Sequence, residues 1–398
     1  MKIYEIGTGY TSIPAQVAAA TESVVEELTK AYISMNEPVE IIDISAENRK
    51  PNTLPITEVG VPSVFRKADV SLGIIHKVKR VVYSVALAFK LKKILKKENE
   101  RCVLHFHNQY NMFFFTKLVS RRLRKKAITA YTNHNGLWSL PWEEVRETMS
   151  RRYFQEIFSM KNADIVFALN PLTKKNIEEQ LEIPENKVFL ISNGVNTDEY
   201  RPLSLDEKTE LKKKYSLEGR HVILQVGSVY ENKGQARVVE LLCSALKNNK
   251  NLVYAYAGGI VSQEYHNLLK QTAESLGISQ QVIYLGTFSP GEEMNCLYNI
   301  ADSTIFASEY EGFPLVCIES LSCGIPVILC SDLSVEIGNG ILKADKNTID
   351  EVITGTIINK SHNYEEICRK ARSNAVENYS WKKIAENYLK AFKGEING

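Results

Sequence analysis

Two tandem α/β domains, each a Rossmann-like parallel sheet covered by helices, are what this sequence predicts, and three observations predict them. Short β-branched runs alternate with helical patterns along the chain, the rhythm of strand–helix–strand units. That rhythm stops once, around NGVNTDEYRPLSLDEKTE, a polar, proline-containing stretch that reads as a linker with the break near Tyr200. The 398 residues suffice for two cores of ordinary size.

In the first half the strand candidates are KIYEI, VEIIDI, CVLHFHN, AITAYTN, ADIVFAL and KVFLISNG, six in all. Helical patterns cover 17–34, a long basic region, 113–124, 142–160 and 171–180. A short helix over 207–215 opens the second half, which continues with strands HVILQVG, LVYAYAG, VIYLG, STIFAS and PVILC. Helices are expected between them over 236–247, 264–276, 292–300 and 315–322. Two last helical patterns, 364–378 and 381–392, have no strand between them and must pack on surfaces already formed.

Composition sets the class: 44% hydrophobic and 24% charged residues describe a soluble globular protein, not a disordered or disulfide-built one. The start, MKIYEIGTGYTSIP, lacks the regions of a signal peptide, and no run of about eighteen apolar residues occurs, so a cytoplasmic location is expected. Seven scattered cysteines without a C-x-x-C pair read as buried thiols. Net charge is only +2 but uneven: between Phe65 and Lys126, seventeen Lys and Arg face only Asp69, Glu98 and Glu100. Val81, Val82, Val85, Leu87, Phe89, Leu91, Ile94 and Leu95 lie among those bases, a pattern that suits either a helix on an anionic bilayer or one packed on the sheet with its lysines solvated. Nucleic acid is not expected, because aromatic residues do not interleave with the charges as stacking platforms.

Open parallel sheets bind ligands at their strand-to-helix turns, so chemistry is sought there. The richest turn is SEYEGFPLVCIESLSCGIPV, where Glu309, Glu311 and Gly312 follow a strand and Pro314 opens a helix. Amides of Gly312, Phe313 and Leu315 are expected to point out of that helix start, a seat for phosphate. Glu311 and Glu319 would offer carboxylates to paired hydroxyls. In QVGSVYENKGQARVVELL, Gly227, Ser228, Lys233 and Gly234 form a glycine-containing lysine loop without the Walker spacing. His134 follows a strand in AYTNHNGLWS and so faces the ligand side of the first domain. His105 and His107 are read as lying on opposite faces of their strand, with no third ligand, so no metal is expected. The first turn, EIGTGYTSIPAQ, resembles a G-x-G dinucleotide loop without its third glycine.

Taken in order, ADIVFALN then LISNGVN, VGSVYENKG, and EGFPLVCIE then SCGIPVI resemble the motifs of the large retaining glycosyltransferase family 4 of the GT-B superfamily, along nearly the whole chain. The resemblance implies two Rossmann-like domains facing across a cleft: 1–200 on the acceptor side, with a C-terminal helix over 381–396 packing back on it, and 201–380 binding a nucleotide diphosphate sugar. It further implies that Glu319 holds the ribose and Lys233 the diphosphate. Glu311, Gly312, Phe313 and Leu315 would hold sugar and phosphates, Gly227, Ser228, Gly258 and Phe288 would complete the donor site, and His134 would touch the sugar. Gly9, Tyr10 and Thr11 would form the acceptor-side loop. UDP-sugars are favoured over GDP-mannose, with no cofactor. The acceptor would be lipid-linked, a peptide or a small molecule. The chain departs from the family where arginine commonly follows the loop glycine: Ser228 stands there, and Arg237 is the candidate substitute base. Ala19 and Ala20 replace a glycine pair before Glu22. A sugar-nucleotide 2-epimerase of the same fold, or a decayed partner subunit, are the alternative readings. No D-x-D pair occurs in the sequence, so leaving-group charge is expected to fall to Lys233 and a helix start.

Overall fold

The computed structural model describes residues 1–16, 19–67, 74–331, 336–360 and 363–394. The chain forms two compact units, 1–193 with 381–398, and 194–380.

The first unit is a seven-stranded, wholly parallel sheet of order β3-β2-β1-β4-β5-β6-β7. Its elements are β1 (Ile3–Ile6), α1 (Ala20–Ser34), β2 (Val39–Ile44), β3 (Ile56–Val59), α2 (Ile74–Lys97), β4 (Cys102–Phe106), α3 (Gln109–Leu118), α4 (Arg121–Arg124), β5 (Ala127–Thr132), α5 (Trp142–Arg152), α6 (Phe154–Asn162), β6 (Ile165–Ala168), α7 (Pro171–Leu181) and β7 (Val188–Leu190). Sequence led to six strands; β3, ITEV, escaped because it is a four-residue edge strand, too short to show a period. The helix expected over 17–34 begins at Ala20, and positions 17 and 18 lie outside the described residues. Those expected over 113–124 and 142–160 each divide in two, the first at Val119, which leaves the helical region at φ −103, ψ 126, and the second at Tyr153. The helix over α2 packs Tyr83, Leu87, Ala88, Leu91 and Leu95 into the core.

The second unit comprises α8 (Leu205–Lys214), β8 (His221–Val226), α9 (Gln235–Leu241), α10 (Cys243–Asn248), β9 (Leu252–Ala257), α11 (Gln263–Ser275), β10 (Val282–Tyr284), α12 (Glu292–Asn299), β11 (Ser303–Phe306), α13 (Leu315–Ser322), β12 (Val327–Leu329), β13 (Ile341–Lys343), α14 (Ile349–Val352) and α15 (Tyr364–Tyr379). The sheet is parallel and six-stranded, β10-β9-β8-β11-β12-β13, one strand more than the sequence indicated, because β13 is an edge strand whose ILK sits between glycines and charged residues without a longer apolar run. Ser204 and Glu207 form a reciprocal capping box that starts α8. The units divide at 193/194, ahead of Tyr200, because the intervening segment is bonded into the second unit. Val195 N–H donates to Tyr379 O (2.7 Å), Ser322 Oγ to Tyr200 O (2.6 Å) and Arg201 N–H to Asn295 Oδ1 (3.0 Å).

The last helix, α16 (Trp381–Lys393), is strongly amphipathic and belongs to the first unit, where it packs on α1 with Ile384, Tyr388, Leu389 and Phe392 buried. Positions 395 and 396 of the expected helix lie outside the described residues.

Candidate functional site

At the ends of β8, β9 and β11 the second unit gathers the lysine loop, a glycine turn and the Glu311 loop. After β8, Gly227 takes φ +148, and a turn over Glu231–Lys233 ends at Gly234, φ +68, which starts α9. Tyr254 OH donates to Gln225 Oε1 (2.6 Å), and Gln225 Nε2 donates to Lys233 O (2.7 Å), so a buried strand side chain fixes the lysine backbone from below. Gln235 Nε2 ties the other limb at Ser228 O (3.0 Å). Gly258, φ +144, must be glycine: a Cβ there would stand 2.1 Å from Gly227 O.

Asn232 joins this loop to the next. Its carbonyl accepts from Glu309 N–H (2.9 Å), and its side chain bonds Tyr310 on both sides, donating to the carbonyl (3.2 Å) and accepting from N–H (3.3 Å). The two loops therefore form one rigid piece, in which the Lys233 ammonium is bonded to Glu311 Oε1. The helix start beyond differs from expectation. Leu315 N–H does not point outward but donates to Phe313 O (3.0 Å), because Pro314 at φ −82, ψ 79 closes a three-residue inverse turn. Phe313 is buried, its ring 6.1 Å from that of Tyr379.

Glu319, within α13, accepts from Tyr298 OH (2.6 Å) of α12. Burial raises its carboxyl to about 7; the tyrosine hydroxyl pulls the other way, and Glu199 adds to the rise. Arg237 donates to Ala307 O at the end of β11. The Phe288 ring packs at 6.0 Å on that of Tyr215, just beyond α8.

In the first unit, Gly9 sits at φ +84 where a Cβ would strike the Tyr83 ring at 2.1 Å. Lys79, from the basic helix, is buried and donates to Tyr10 O (2.8 Å) and Lys67 O (3.0 Å), while Arg80 donates to Tyr10 OH (2.8 Å) and lies over its ring. Thr8 OH is bonded to the buried Glu22. Two bases of the cationic stretch thus shape the 9–11 loop and are not free for a partner. The carboxylate of Glu156 fixes the loop after His134, accepting from Tyr131 OH (3.1 Å), Asn135 Nδ2 (2.9 Å) and Trp138 Nε1 (3.0 Å).

His105 and His107 lie on one face of the sheet, not two, since side chains two residues apart in a strand point the same way. Their ring centroids are 4.1 Å apart. Glu5 of β1, opposite His105 in the parallel register, is the third group: His105 Nδ1 lies 2.9 Å from Glu5 Oε1 and His107 Nε2 2.8 Å from Oε2. Among the described residues these three form a cluster with the chemistry of a metal site, their ligand atoms within 4.8 Å of one another. Those atoms are paired with one another inside the cluster, and the remaining ring nitrogens bond outside it, His105 Nε2 to Thr132 Oγ1 (2.7 Å) and His107 Nδ1 to His134 Nε2 (3.0 Å). Sequence reasoning had no means to see Glu5 or Glu156 as partners, because Glu5 meets its histidines from the neighbouring strand and Glu156 meets its loop from helix α6.

Two doubly wound parallel sheets, one carrying a lysine, two glutamates and glycine turns at its strand ends, define the GT-B class of fold. Residues 21–199 match the family model "Glycosyltransferase Family 4" and residues 207–373 match "Glycosyl transferases group 1". The chain belongs to these glycosyltransferase families. It is 28% identical over 238 residues to an uncharacterized glycosyltransferase of Methanocaldococcus jannaschii, covering 57% of this chain and 59% of the relative. It is 26% identical to a GDP-mannose-dependent alpha-(1-6)-phosphatidylinositol monomannoside mannosyltransferase of Mycolicibacterium smegmatis, covering 53% of each. The chain thus spans less than two thirds of the length of these curated relatives. Among solved structures, Anabaena HepE in complex with UDP and glucose superposes with a TM-score of 0.71 over 99% of both chains at 15% identity, a likeness of fold.

Proposed function

We propose that this protein is a retaining, metal-independent glycosyltransferase that moves a hexose from a nucleotide diphosphate sugar to an acceptor hydroxyl. The observation that carries the reading is the rigid pair of loops that sets Lys233 and Glu311 against each other ahead of the helix that carries Glu319. A cation fixed on a helix-start loop stabilises charge on a departing diphosphate, and the two carboxylates are acceptors for sugar and ribose hydroxyls. The acceptor attacks on the face the diphosphate leaves, which takes the proton, and no covalent sugar forms on Glu311. As donor we favour GDP-mannose over the UDP-sugar that the sequence pointed to, since the Mycolicibacterium relative is named for that donor.

The experiment is a nucleotide-sugar panel read by thermal shift with chelator present, followed by transfer and hydrolysis assays. A shift with one donor, unaffected by chelator and lost in Glu319→Ala, is expected; a shift that needs metal, or conversion of the donor at C2 without an acceptor, would replace this reading with another.

For the acceptor we propose a substrate at an anionic membrane surface. Among the described residues no helix is long and apolar enough to cross a membrane. The outer face of α2, however, exposes Ile74 (80%), Ile75 (66%), Val78 (47%) and Phe89 (50%), with Lys77, Lys93, Lys96 and Lys97 exposed along the same helix. Apolar insertion beside lysines is how amphipathic helices bind anionic lipid. Co-sedimentation with phosphatidylglycerol vesicles is expected, and Ile74→Ser with Ile75→Ser should reduce it about thirtyfold or more, as loss of two inserted side chains at roughly 1 kcal/mol or more each implies.

A further inference from the structure

The helices of the first unit divide between the two faces of its sheet. In the order β3-β2-β1-β4-β5-β6-β7, the crossings from β3 to β4, from β4 to β5 and from β5 to β6 all run toward β7, while that from β1 to β2 runs the other way. Parallel crossovers are right-handed, so α2, α3 and the α5–α6 pair cover one face, and α1, with α16 packed on it, covers the other. Because α2 packs along α3 and α3 along α6, their outer sides form one continuous layer, of which the apolar stripe of α2 is one part.

Aromatic side chains continue that layer. The Phe113 ring of α3 lies 5.0 Å from Phe158 and 6.1 Å from Phe154, both of α6, and 5.4 Å from its neighbour Phe114, centre to centre. The same two helices bury Met112, Phe115 and Met160 in the core, so these rings belong to their outward sides: Phe154 is 50% exposed, and Phe113, Phe114 and Phe158 are half-buried. Large rings clustered away from a core mark an interaction surface. Charge selects the partner. Lys117 holds its ammonium 4.6 Å from the Phe158 ring centre and 5.8 Å from that of Phe113, and Arg121 and Arg122 of α4 and Lys161 of α6 are exposed. α3, α4 and α6 carry one acid between them, Glu156, which is buried and bonded to the loop after His134. The exposed acids of the layer are those of α5, matched in number by its own arginines. Rings that can enter an acyl boundary, beside cations long enough to stay at the phosphates, fit an anionic bilayer.

We propose that the Phe113–Phe154–Phe158 ridge is a second membrane contact of this protein, which lays the α2–α3–α6 layer flat on an anionic bilayer. This rests on the reading of α2 as a membrane helix, and it goes further by fixing orientation: a molecule held by one helix swings about it, whereas contacts on separate helices settle which side faces the lipid. The loop expected to meet the acceptor is joined to the same layer. Arg80 of α2 places its guanidinium 4.6 Å from the Tyr10 ring centre and 5.8 Å from that of Tyr110, in the first turn of α3. Loop 9–11 is thereby held at the rim of the layer, where an acceptor hydroxyl carried on a lipid reaches it without leaving the bilayer.

The test places tryptophan on the ridge, Phe154→Trp, and on α2, Ile74→Trp, in the full chain with vesicles of brominated phosphatidylglycerol, against wild type, whose three tryptophans set the background. Both variants are expected to lose more fluorescence than wild type, and neither to do so with brominated phosphatidylcholine. Phe154→Ser is expected to lower co-sedimentation with phosphatidylglycerol vesicles about tenfold, with affinity for free GDP or UDP unchanged. Phe154→Trp keeps a large ring in place, so the quenching decides even if Phe154→Ser fails to fold. Extra quenching of Ile74→Trp alone would overturn the second contact and leave α2 as a membrane helix, and quenching of neither would remove both. Self-association of wild type without vesicles that Phe154→Ser abolishes would give the ridge to a second copy of this chain instead.

Discussion

Lys233→Ala is expected to lower kcat for sugar transfer by about 10²–10³-fold, on the order of 3–4 kcal/mol of transition-state stabilisation. The magnitude follows from what else is available to meet the leaving diphosphate. Ser228 supplies no charge where a second cation would be useful. Arg237 is committed to Ala307 O, and the Leu315 amide is turned back on Phe313 O. The remaining cation of the loop pair is therefore Lys233, and in the structure its partner is Glu311. A diphosphate that takes over the ammonium releases Glu311 to accept from the sugar, so the two side chains exchange partners when the donor binds. Glu311→Gln should then separate the roles: the unpaired ammonium binds free nucleotide diphosphate as well as or better than before, while kcat falls. Steady-state kinetics with calorimetric titration of the free nucleotide reads both. Arg237→Ala with unchanged kcat would leave Lys233 as the working base, whereas a loss matching that of Lys233→Ala would assign the missing charge to Arg237.

The fold was legible because its signal is long-range and redundant. Among the described residues thirteen strands, most of them separated by helices, form the two sheets, and the eleven that remain without β3 and β13 still define both as parallel. Those two are edge strands, ITEV and ILK, paired on one side only and set among proline, glycine and charged residues, so they lack the longer apolar run that marks the other short strands. The candidate site was legible as a local pattern only where its residues lie on one turn, as with Lys233 on its glycine loop or Glu311 just before Pro314. What was illegible depends on strands that meet across the sheet. Glu5 stands a hundred residues from His105 and is its partner by register alone. Lys79 reads as one more solvated base until the fold buries it on the carbonyl of Tyr10. The Leu315 amide depends on the ψ of Pro314, a single dihedral that no residue pattern specifies. His105 and His107 are a different case: the two-residue period of a strand already placed them on one face.

Nucleotide affinity is expected to rise with pH between about 5 and 7, because the group proposed to hold the ribose must first lose a proton. Glu319 is raised from the ordinary carboxylate value of 4.5 to about 7, chiefly by burial. A neutral carboxyl is a poorer double acceptor than a carboxylate, so binding to paired hydroxyls favours the ionised form. Below pH 7 the nucleotide must displace the proton, and affinity then approaches a tenfold gain per pH unit, levelling off above 7. Titration calorimetry at pH 6 in buffers of different ionisation heat should find close to one proton released per nucleotide bound, and none in Glu319→Gln, which binds more weakly and without this slope. The same shift acts on stability with a definite sign. Between 4.5 and 7 the native state keeps a proton that the unfolded chain has lost, so stability contributed by this group falls as pH rises through that window. Glu319→Gln removes the fall, and its melting temperature should therefore gain on wild type from pH 5 to pH 8. A difference between the two proteins that does not change with pH would mean that Glu319 is ionised throughout, and that neither its burial nor Glu199 governs the ribose end of the site.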